Sequence, residues 1–127
     1  MRTAQQKQLQ NLGKSRERGT AVDAEDFAVR ADLDDGRLTL SLTGELDLAS
    51  APILEEAIGA IPREDIRELV FDLQDLAFID STGLRLIIRT ARLAADGGPR
   101  FAIQRVPDQA RRLFEIAGVI ERLNVQS

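Results

Sequence analysis

Two carboxylates are the first side chains whose spacing suggests chemistry. Glu45 and Asp47 lie two residues apart in a segment that reads as extended, so their side chains point the same way and could share general acid and base work. Nothing else in the sequence builds a concave polar pocket around them. A solvated strand end is the commoner explanation of such a pair, and a small enzyme that uses it is kept as an alternative.

A second candidate is the hydroxyl-bearing sequence Asp80-Ser81-Thr82, which precedes a predicted helix. A nucleophilic serine needs a neighbouring base, but the chain has no histidine, and its only lysines, Lys7 and Lys14, lie near the N-terminus. By residue type alone, Asp80 or Ser81 is an N-cap that accepts a hydrogen bond from a free backbone N–H of the helix. The residues therefore predict a helix start rather than a hydrolase site.

The composition excludes several other kinds of site. The 127 residues include no histidine and no cysteine, so the usual zinc and copper ligands and thiol chemistry are missing. Gly13-Lys14-Ser15 resembles the end of a P-loop, but Gln8 stands where that loop has a glycine. We therefore expect no metal site and no cofactor.

Charge and hydropathy bear on partners and location. Residues 1–20 contain five basic side chains and one acidic one, and because the whole chain has a net charge of -4, the remaining residues carry -8. Such an acidic body should repel nucleic acid. No apolar run reaches the roughly 18 residues that span a bilayer, and the N-terminus lacks the apolar stretch of a signal peptide. We expect a cytoplasmic protein without direct nucleic-acid or membrane contact.

Hydrophobic periodicity predicts the elements that position these residues. Residues 1–26 are Gln-rich and charged, which predicts a flexible N-terminal extension, and residues 27–127 form one predicted domain. Its predicted order is β-β-α-β-α-β-α, with a further small edge strand within 119–125. The chain begins with a hairpin that turns at 34–36, followed by a helix from 50 to 62 and a strand over 66–73 that leads into a partly apolar loop. A helix over 82–96, a strand over 101–106 and a helix from 107 to 118 complete the domain. This order predicts an α/β fold whose mixed, mostly parallel sheet is opened by an antiparallel hairpin and covered by about three main helices.

The second predicted helix carries apolar residues on two sides. One side has Leu84, Ile87, Ile88, Ala91 and Ala95, and the other has Leu86 and Leu93 beside Arg85, Arg89 and Arg92. The first side is the predicted core face. The second side has two interpretations. It is a solvated arginine stripe whose leucines are incidental or are covered by another element of the fold, or it is a surface that binds a partner.

Three motifs follow one another along the chain. They are Leu42-Thr43-Gly44-Glu45-Leu46-Asp47 after the second strand, Asp80-Ser81-Thr82-Gly83-Leu84 at the second helix, and Arg112-Leu113-Phe114-Glu115-Ile116-Ala117-Gly118-Val119 in the third helix. In this order and spacing they resemble a STAS domain of the bacterial anti-sigma factor antagonist type, over roughly residues 27–125. Arg85 departs from the pattern, because the family often has a small residue after the motif's leucine.

The resemblance implies a partner switch. In such families the unmodified antagonist binds an anti-sigma factor that is also a serine kinase, which frees a sigma factor. The kinase phosphorylates the serine after the motif's aspartate, here Ser81, and a metal-dependent serine phosphatase removes the phosphate; the neighbouring Thr82 is the less favoured acceptor. The expected partner-binding residues are Asp47, Asp80, Ser81, Thr82 and Gly83, with Gly83 allowing close approach of the partner's backbone. Arg85 is added from the hypothesis that the outer side of the second helix meets the partner.

The chemistry of a phosphate at Ser81 is consistent with such a switch. A phosphate at a helix start gains from the free N–H groups and the helix dipole. Inside a partner contact, beside Asp80 and Asp47, its added charge of about -1.5 to -2 would cause repulsion and a burial cost. The expected protein is therefore a regulator without catalytic residues, and the main alternative is a STAS scaffold or ligand-sensing module in a larger signalling assembly.

Overall fold

The computed structural model of the protein describes residues 27–126, so the predicted extension at residues 1–26 lies outside the described residues. The strands are β1 (Phe27–Asp34), β2 (Arg37–Leu46), β3 (Glu68–Ile79), β4 (Arg100–Gln104) and β5 (Val125–Gln126). The helices are α1 (Ala51–Gly59), α2 (Ser81–Ala95) and α3 (Asp108–Ala117), and a 3₁₀ turn covers Arg63–Asp65. Within residues 27–126, no helix combines the length and the hydropathy needed to cross a bilayer.

The five strands form one sheet in the order β1-β2-β3-β4-β5. β1 and β2 are antiparallel, and the other neighbouring pairs are parallel. Each parallel pair is separated in sequence by a helix, because parallel neighbours need a crossover connection. The predicted α/β fold, with a mixed and mostly parallel sheet opened by an antiparallel hairpin, is confirmed. The final strand lies at Val125–Gln126, at the end of the predicted segment and one residue beyond it.

Asp35 and Gly36 form the two-residue turn between β1 and β2. Their φ angles are 51° and 84°, the mirror-image turn geometry that matches the twist of a hairpin. Arg67 donates a hydrogen bond to the carbonyl oxygen of Asp35 at 2.7 Å. The Arg67 side chain lies so close to the turn that a Cβ at Gly36 would be 2.6 Å from the Arg67 Nε. The turn is thus tied to the segment that leads into β3.

The hydrophobic core lies between one face of the sheet and the three helices. Alternate residues of the hairpin are buried there together with residues of β3 and of every helix, including Val29, Ala31, Leu38, Leu40, Leu42, Phe71, Leu54, Ile87 and Phe114. The intervening hairpin residues, such as Arg30, Asp32 and Thr39, are exposed or half-buried. This alternation agrees with the predicted hairpin that buries one face.

β3 is longer than predicted. We expected a strand over residues 66–73 and then a loop, but the strand covers Glu68–Ile79. The register against β2 shifts twice, opposite residues 41–45 of that strand, and the two strands stay paired up to their carboxyl ends. Irregularities of this kind break the alternation of buried and exposed side chains, which is why the sequence resembled a loop here.

An ion pair between Asp72 of β3 and Arg105, the residue after β4, joins neighbouring parts of the sheet. The buried Asp72 carboxylate accepts hydrogen bonds from the N–H of Gln74 at 3.0 Å and from Nε of Arg105 at 3.1 Å. Burial acts to raise the pKa of Asp72, but the hydrogen bonds and the charge of Arg105, together with the Gln74 N–H, outweigh burial and hold this pKa below its ordinary value. The carboxylate is therefore charged at neutral pH and contributes to stability in that form.

α2 presents a different set of residues to the core from the predicted one. Leu84 and Ile87 are buried as expected, but Ala95 is exposed and Ala94 is buried instead. Leu86, which we placed on the outer side, is also buried and belongs to the core cluster, in agreement with the alternative that another element covers it. α1 packs against α2. The periodicity of α2 alone does not show which of its residues a neighbouring helix buries.

Replacing Asp72 by asparagine should destabilise the fold in a pH-dependent way. Asp72→Asn removes the charge paired with Arg105, so we expect the free energy of unfolding near neutral pH to fall by about 1–3 kcal/mol. Because folding lowers the pKa of Asp72, this contribution is fully present above the unfolded carboxyl pKa of about 3.9 and is lost as the pH falls through the folded value. Urea unfolding of both proteins from neutral to acidic pH measures the difference.

Asp32→Asn is the matched control for this experiment. Asp32 is an exposed carboxylate of β1 that makes no ion pair within residues 27–126, so its replacement should change the unfolding free energy by less than about 0.5 kcal/mol. Equal effects of the two substitutions, or a loss at Asp72 that does not diminish in acid, would contradict the stabilising role of the charged carboxylate.

Candidate functional site

The carboxyl ends of β2 and β3 bring two of the sequence motifs together. Leu46 pairs with Ile79 in the parallel register, and the N–H of Asp80 donates to the carbonyl oxygen of Leu46 at 3.1 Å. Residues 45–48 therefore lie beside residues 78–83. We call these two segments together the carboxyl edge.

Asp80 is the N-cap of α2. Its backbone is extended, with φ -106° and ψ -174°, and its Oδ1 accepts a hydrogen bond from the N–H of Gly83 at 3.0 Å. The N–H of Leu84 donates to the carbonyl oxygen of Asp80, also at 3.0 Å. Of the two residues that the sequence offered as caps, the aspartate caps the helix through its side chain, and Ser81 is the first helical residue.

Ser81 is exposed at the start of α2, whereas Thr82 is half-buried. Within the part of the chain that the structure describes, the Ser81 hydroxyl makes no hydrogen bond. Ser81 is thus the more accessible of the two neighbouring hydroxyl residues.

Asp47 holds the turn between β2 and α1. Its Oδ1 accepts hydrogen bonds from the N–H groups of Ala49 and Ser50, both at 3.1 Å. Ser50 is buried, and its hydroxyl donates to the carbonyl oxygen of Glu45 at 2.7 Å and accepts from the N–H of Asp47 at 2.9 Å. Ser50 occupies the N-cap position of α1 without capping the helix through its side chain. These bonds fix Asp47 at the carboxyl edge.

The hypothetical acid and base pair of Glu45 and Asp47 has open surroundings. Glu45 is exposed, and Asp47 is half-buried with one oxygen engaged in the turn. A groove of about 500 Å³ lies between the ends of α1 and α2 and the start of β3, and one of about 110 Å³ lies between α2 and residues 119–123. Neither carboxylate lines either groove, and no group of three or more acidic residues within 27–126 could hold a metal ion. The geometry does not favour acid and base catalysis here.

Gly83 is buried where α2 meets the sheet. A Cβ at this position would lie 2.7 Å from Cγ of Leu46 and 3.0 Å from Cγ1 of Ile79, so only a residue without a side chain lets the helix come this close. The close approach of a partner's backbone to Gly83 stays a prediction. Within the described residues, the missing side chain permits the close approach of α2 to β2 and β3.

The carboxyl edge includes residues that sequence reasoning did not assign to a site. Leu48 and Phe78 are large apolar side chains that are 74% and 41% exposed. Gln109 of α3 accepts a hydrogen bond from the N–H of Ile79 and donates one to its carbonyl oxygen, both at 3.0 Å. The position of Leu48 and Phe78 next to the motifs was a usable signal, whereas nothing in the sequence indicates that Gln109 reaches β3.

Arginines dominate the outer side of α2. Arg85 is exposed one turn after Ser81, and Arg89, one turn further on, pairs with Glu55 of α1 at 2.7 Å. Leu93 is 52% exposed, so Leu93 is the one residue of the predicted outer leucine pair that reaches solvent.

Comparison with known proteins adds a family to this geometry. Residues 29–124 match the family described as "Mlab, STAS domain". Over 82 residues, 65% of this chain and 76% of the relative, the sequence is 33% identical to the anti-sigma-B factor antagonist of Staphylococcus aureus. It is 26% identical over 90 residues to the Bacillus subtilis protein of the same name, covering 71% of this chain and 82% of the relative. The crystal structure of an anti-sigma factor antagonist from Mycobacterium paratuberculosis matches with a TM-score of 0.72 and 27% identity, over 84% of this chain and 89% of that one.

Gly83→Ala should destabilise the protein although it places alanine in a helix. Alanine is normally favoured over glycine in a helix by about 0.5–1 kcal/mol, but the added methyl group would overlap Leu46. We expect the free energy of unfolding, measured in urea, to fall by about 1–3 kcal/mol. The control is Gly59→Ala at the end of α1, where a Cβ meets nothing within 4 Å and stability should hold or rise slightly. If the two variants were equally stable, close packing at Gly83 would be the wrong explanation.

Proposed function

The chain belongs to the STAS domain family, and from this premise we propose that it is a cytoplasmic anti-sigma factor antagonist. It binds an anti-sigma factor that is also a serine kinase, which releases the sigma factor, and phosphorylation of Ser81 ends this binding. The relatives named anti-sigma factor antagonists support the general role.

The observation that carries the proposal is the accessibility of Ser81. Its hydroxyl is exposed at the first residue of α2 and is free of hydrogen bonds within residues 27–126, because Asp80 takes over the capping of the helix. A kinase can reach this oxygen without unfolding the chain. In the reaction the γ-phosphoryl group of ATP passes to Oγ of Ser81, ADP leaves, and the hydroxyl proton passes to the kinase.

The fold should tolerate the phosphate, and the partner contact should not. A phosphate at the start of α2 is favoured by the helix dipole. Asp80 and Asp47 already place negative charge at the carboxyl edge, and the exposed Leu48 and Phe78 offer apolar area for a desolvated contact. Adding about -1.5 to -2 charges at the centre of that contact causes repulsion and a burial cost. A loss of at least about tenfold in affinity, roughly 1.4 kcal/mol, is a modest expectation.

The proposed protein contributes a surface and no catalytic groups. The kinase brings the groups that transfer the phosphoryl group, and a serine phosphatase returns the unmodified form by hydrolysis with water. Control of transcription then runs through protein contacts, since the net charge of -8 beyond residue 20 disfavours direct binding to nucleic acid.

A ligand-sensing STAS module is the second candidate, and the groove of about 500 Å³ favours it. The groove is lined by Ile58, Ile61, Ile66, Leu69 and Leu93 together with Arg63, Arg67 and Asp96. It lies at the far end of α2 from Ser81, so a ligand there would not compete with the carboxyl edge. Native mass spectrometry of the purified full chain tests this function, which predicts a copurifying small molecule that dissociates on denaturation.

Phosphorylation of the full chain by its kinase partner and ATP tests the primary function. We expect one phosphate, located on Ser81 by tandem mass spectrometry, and its absence in Ser81→Ala. Thr82→Ala is the matched control and should be phosphorylated as the wild type is. Ser81→Ala should still bind the kinase, whereas Ser81→Glu should bind at least about tenfold more weakly because it adds a charge at the contact.

Two results would overturn the proposal. One is stoichiometric phosphorylation of Ser81→Ala, which would move the site elsewhere. The other is unchanged binding of Ser81→Glu and of the phosphorylated wild type, which would remove the switch.

A further inference from the structure

Arg85 and Ser81 stand one turn apart on the same side of α2. Four residues advance a helix by about 6 Å and rotate it by about 40° beyond one full turn, so side chains at this spacing are neighbours. Helical side chains also lean toward the N-terminus of their helix. Because both residues are exposed, the long side chain of Arg85 can extend toward the helix end that carries the Ser81 hydroxyl.

The Arg85 guanidinium is free to take a new partner. Within residues 27–126 it makes no ion pair and no hydrogen bond. Arg89, the next arginine along the helix, is held by Glu55 of α1 at 2.7 Å. A phosphate on Ser81 would thus have one uncommitted arginine within reach on its own helix.

At the start of α2, the N–H groups of Ser81 and Thr82 remain as backbone donors for such a phosphate, whereas those of Gly83 and Leu84 are engaged. The Asp80 carboxylate already accepts the N–H of Gly83 at 3.0 Å, and the N–H of Leu84 is bonded within the helix. The negative charges of Asp80 on the same element and of Glu45 and Asp47 on the adjoining strand and turn oppose a dianion at this place. A planar guanidinium, which can donate two parallel hydrogen bonds to phosphate oxygens, offsets that repulsion.

We propose that Arg85 captures the phosphate of phosphorylated Ser81 in an ion pair within α2. The inference rests on the proposed function for the occurrence of the modification, and it assigns Arg85 a role in the modified state. Capture engages the positive charge of Arg85 in an ion pair, so phosphorylation adds a phosphate to the carboxyl edge and also removes a free arginine from the adjoining turn of α2. A glutamate at position 81 carries a single charge on a shorter group and reproduces this state incompletely.

The test uses the full chain with phosphoserine inserted at position 81 during synthesis, so that no kinase is involved. ³¹P NMR follows the second ionisation of the phosphate, whose ordinary pKa is about 6, at low ionic strength because salt weakens an exposed pair. A neighbouring positive charge favours the dianion. We therefore expect the phosphate pKa to be lower with Arg85 present than in Arg85→Ala, by at least about 0.3 pH unit. Arg85→Lys should restore part of the difference.

Arg92→Ala is the matched control. Arg92 is exposed on the same helix, but it lies eleven residues after Ser81, about 16 Å along the axis, so its removal should leave the phosphate pKa at the value of the parent protein. The proposal is overturned if Arg85→Ala leaves the pKa unchanged, or if Arg92→Ala raises it as much as Arg85→Ala does. A kinase that fails to modify Ser81 overturns the proposed function and leaves the NMR result standing, so the two failures are distinguishable.

Discussion

Parallel pairing of β2 with β3 up to their last residues is the constraint on which the carboxyl edge depends. The ladder ends at the bond from the Asp80 N–H to the Leu46 carbonyl, 3.1 Å long. That bond places the turn after β2 beside the start of α2, and the missing side chain of Gly83 lets the helix rest on Leu46 and Ile79. Two register shifts precede this point, and the two strands stay paired across both of them.

Both aspartates of the carboxyl edge are engaged in hydrogen bonds within the fold, whereas the Ser81 hydroxyl makes none among the described residues. The Asp80 carboxylate accepts the N–H of Gly83, and the Asp47 carboxylate accepts N–H groups of the turn before α1. Gly83 has no side chain and lets α2 pack closely on the sheet. Ser81 stands among them with no structural task among the described residues. A group added to its hydroxyl therefore meets solvent or a partner rather than the core, which is the physical requirement for a modification that changes binding and spares the fold.

Local patterns were sufficient for much of this structure. The Asp35-Gly36 turn, the alternation in the hairpin and the start of α2 all follow from residue preferences within a few positions. The full length of β3, the burial of Leu86 and the bonds from Gln109 to Ile79 did not follow, because each depends on an element distant in sequence. The sequence did place Glu45 and Asp47 correctly at the end of a strand. The hydrogen bonds that hold the Asp47 carboxylate in the following turn became visible only in the structure.

The sequence by itself determined the order of elements, the helix start at Asp80-Ser81 and the absence of histidine and cysteine chemistry, since these depend on residue type and local periodicity. Tertiary structure decided which hydroxyl remains exposed, why Gly83 must lack a side chain and which arginines of α2 are already paired. Those properties depend on contacts between segments far apart in the chain, such as Arg89 with Glu55 and Gly83 with Leu46. Sequence spacing determines which residues are neighbours within one helix. Only the packing of the elements determines which residues of other helices and strands they contact.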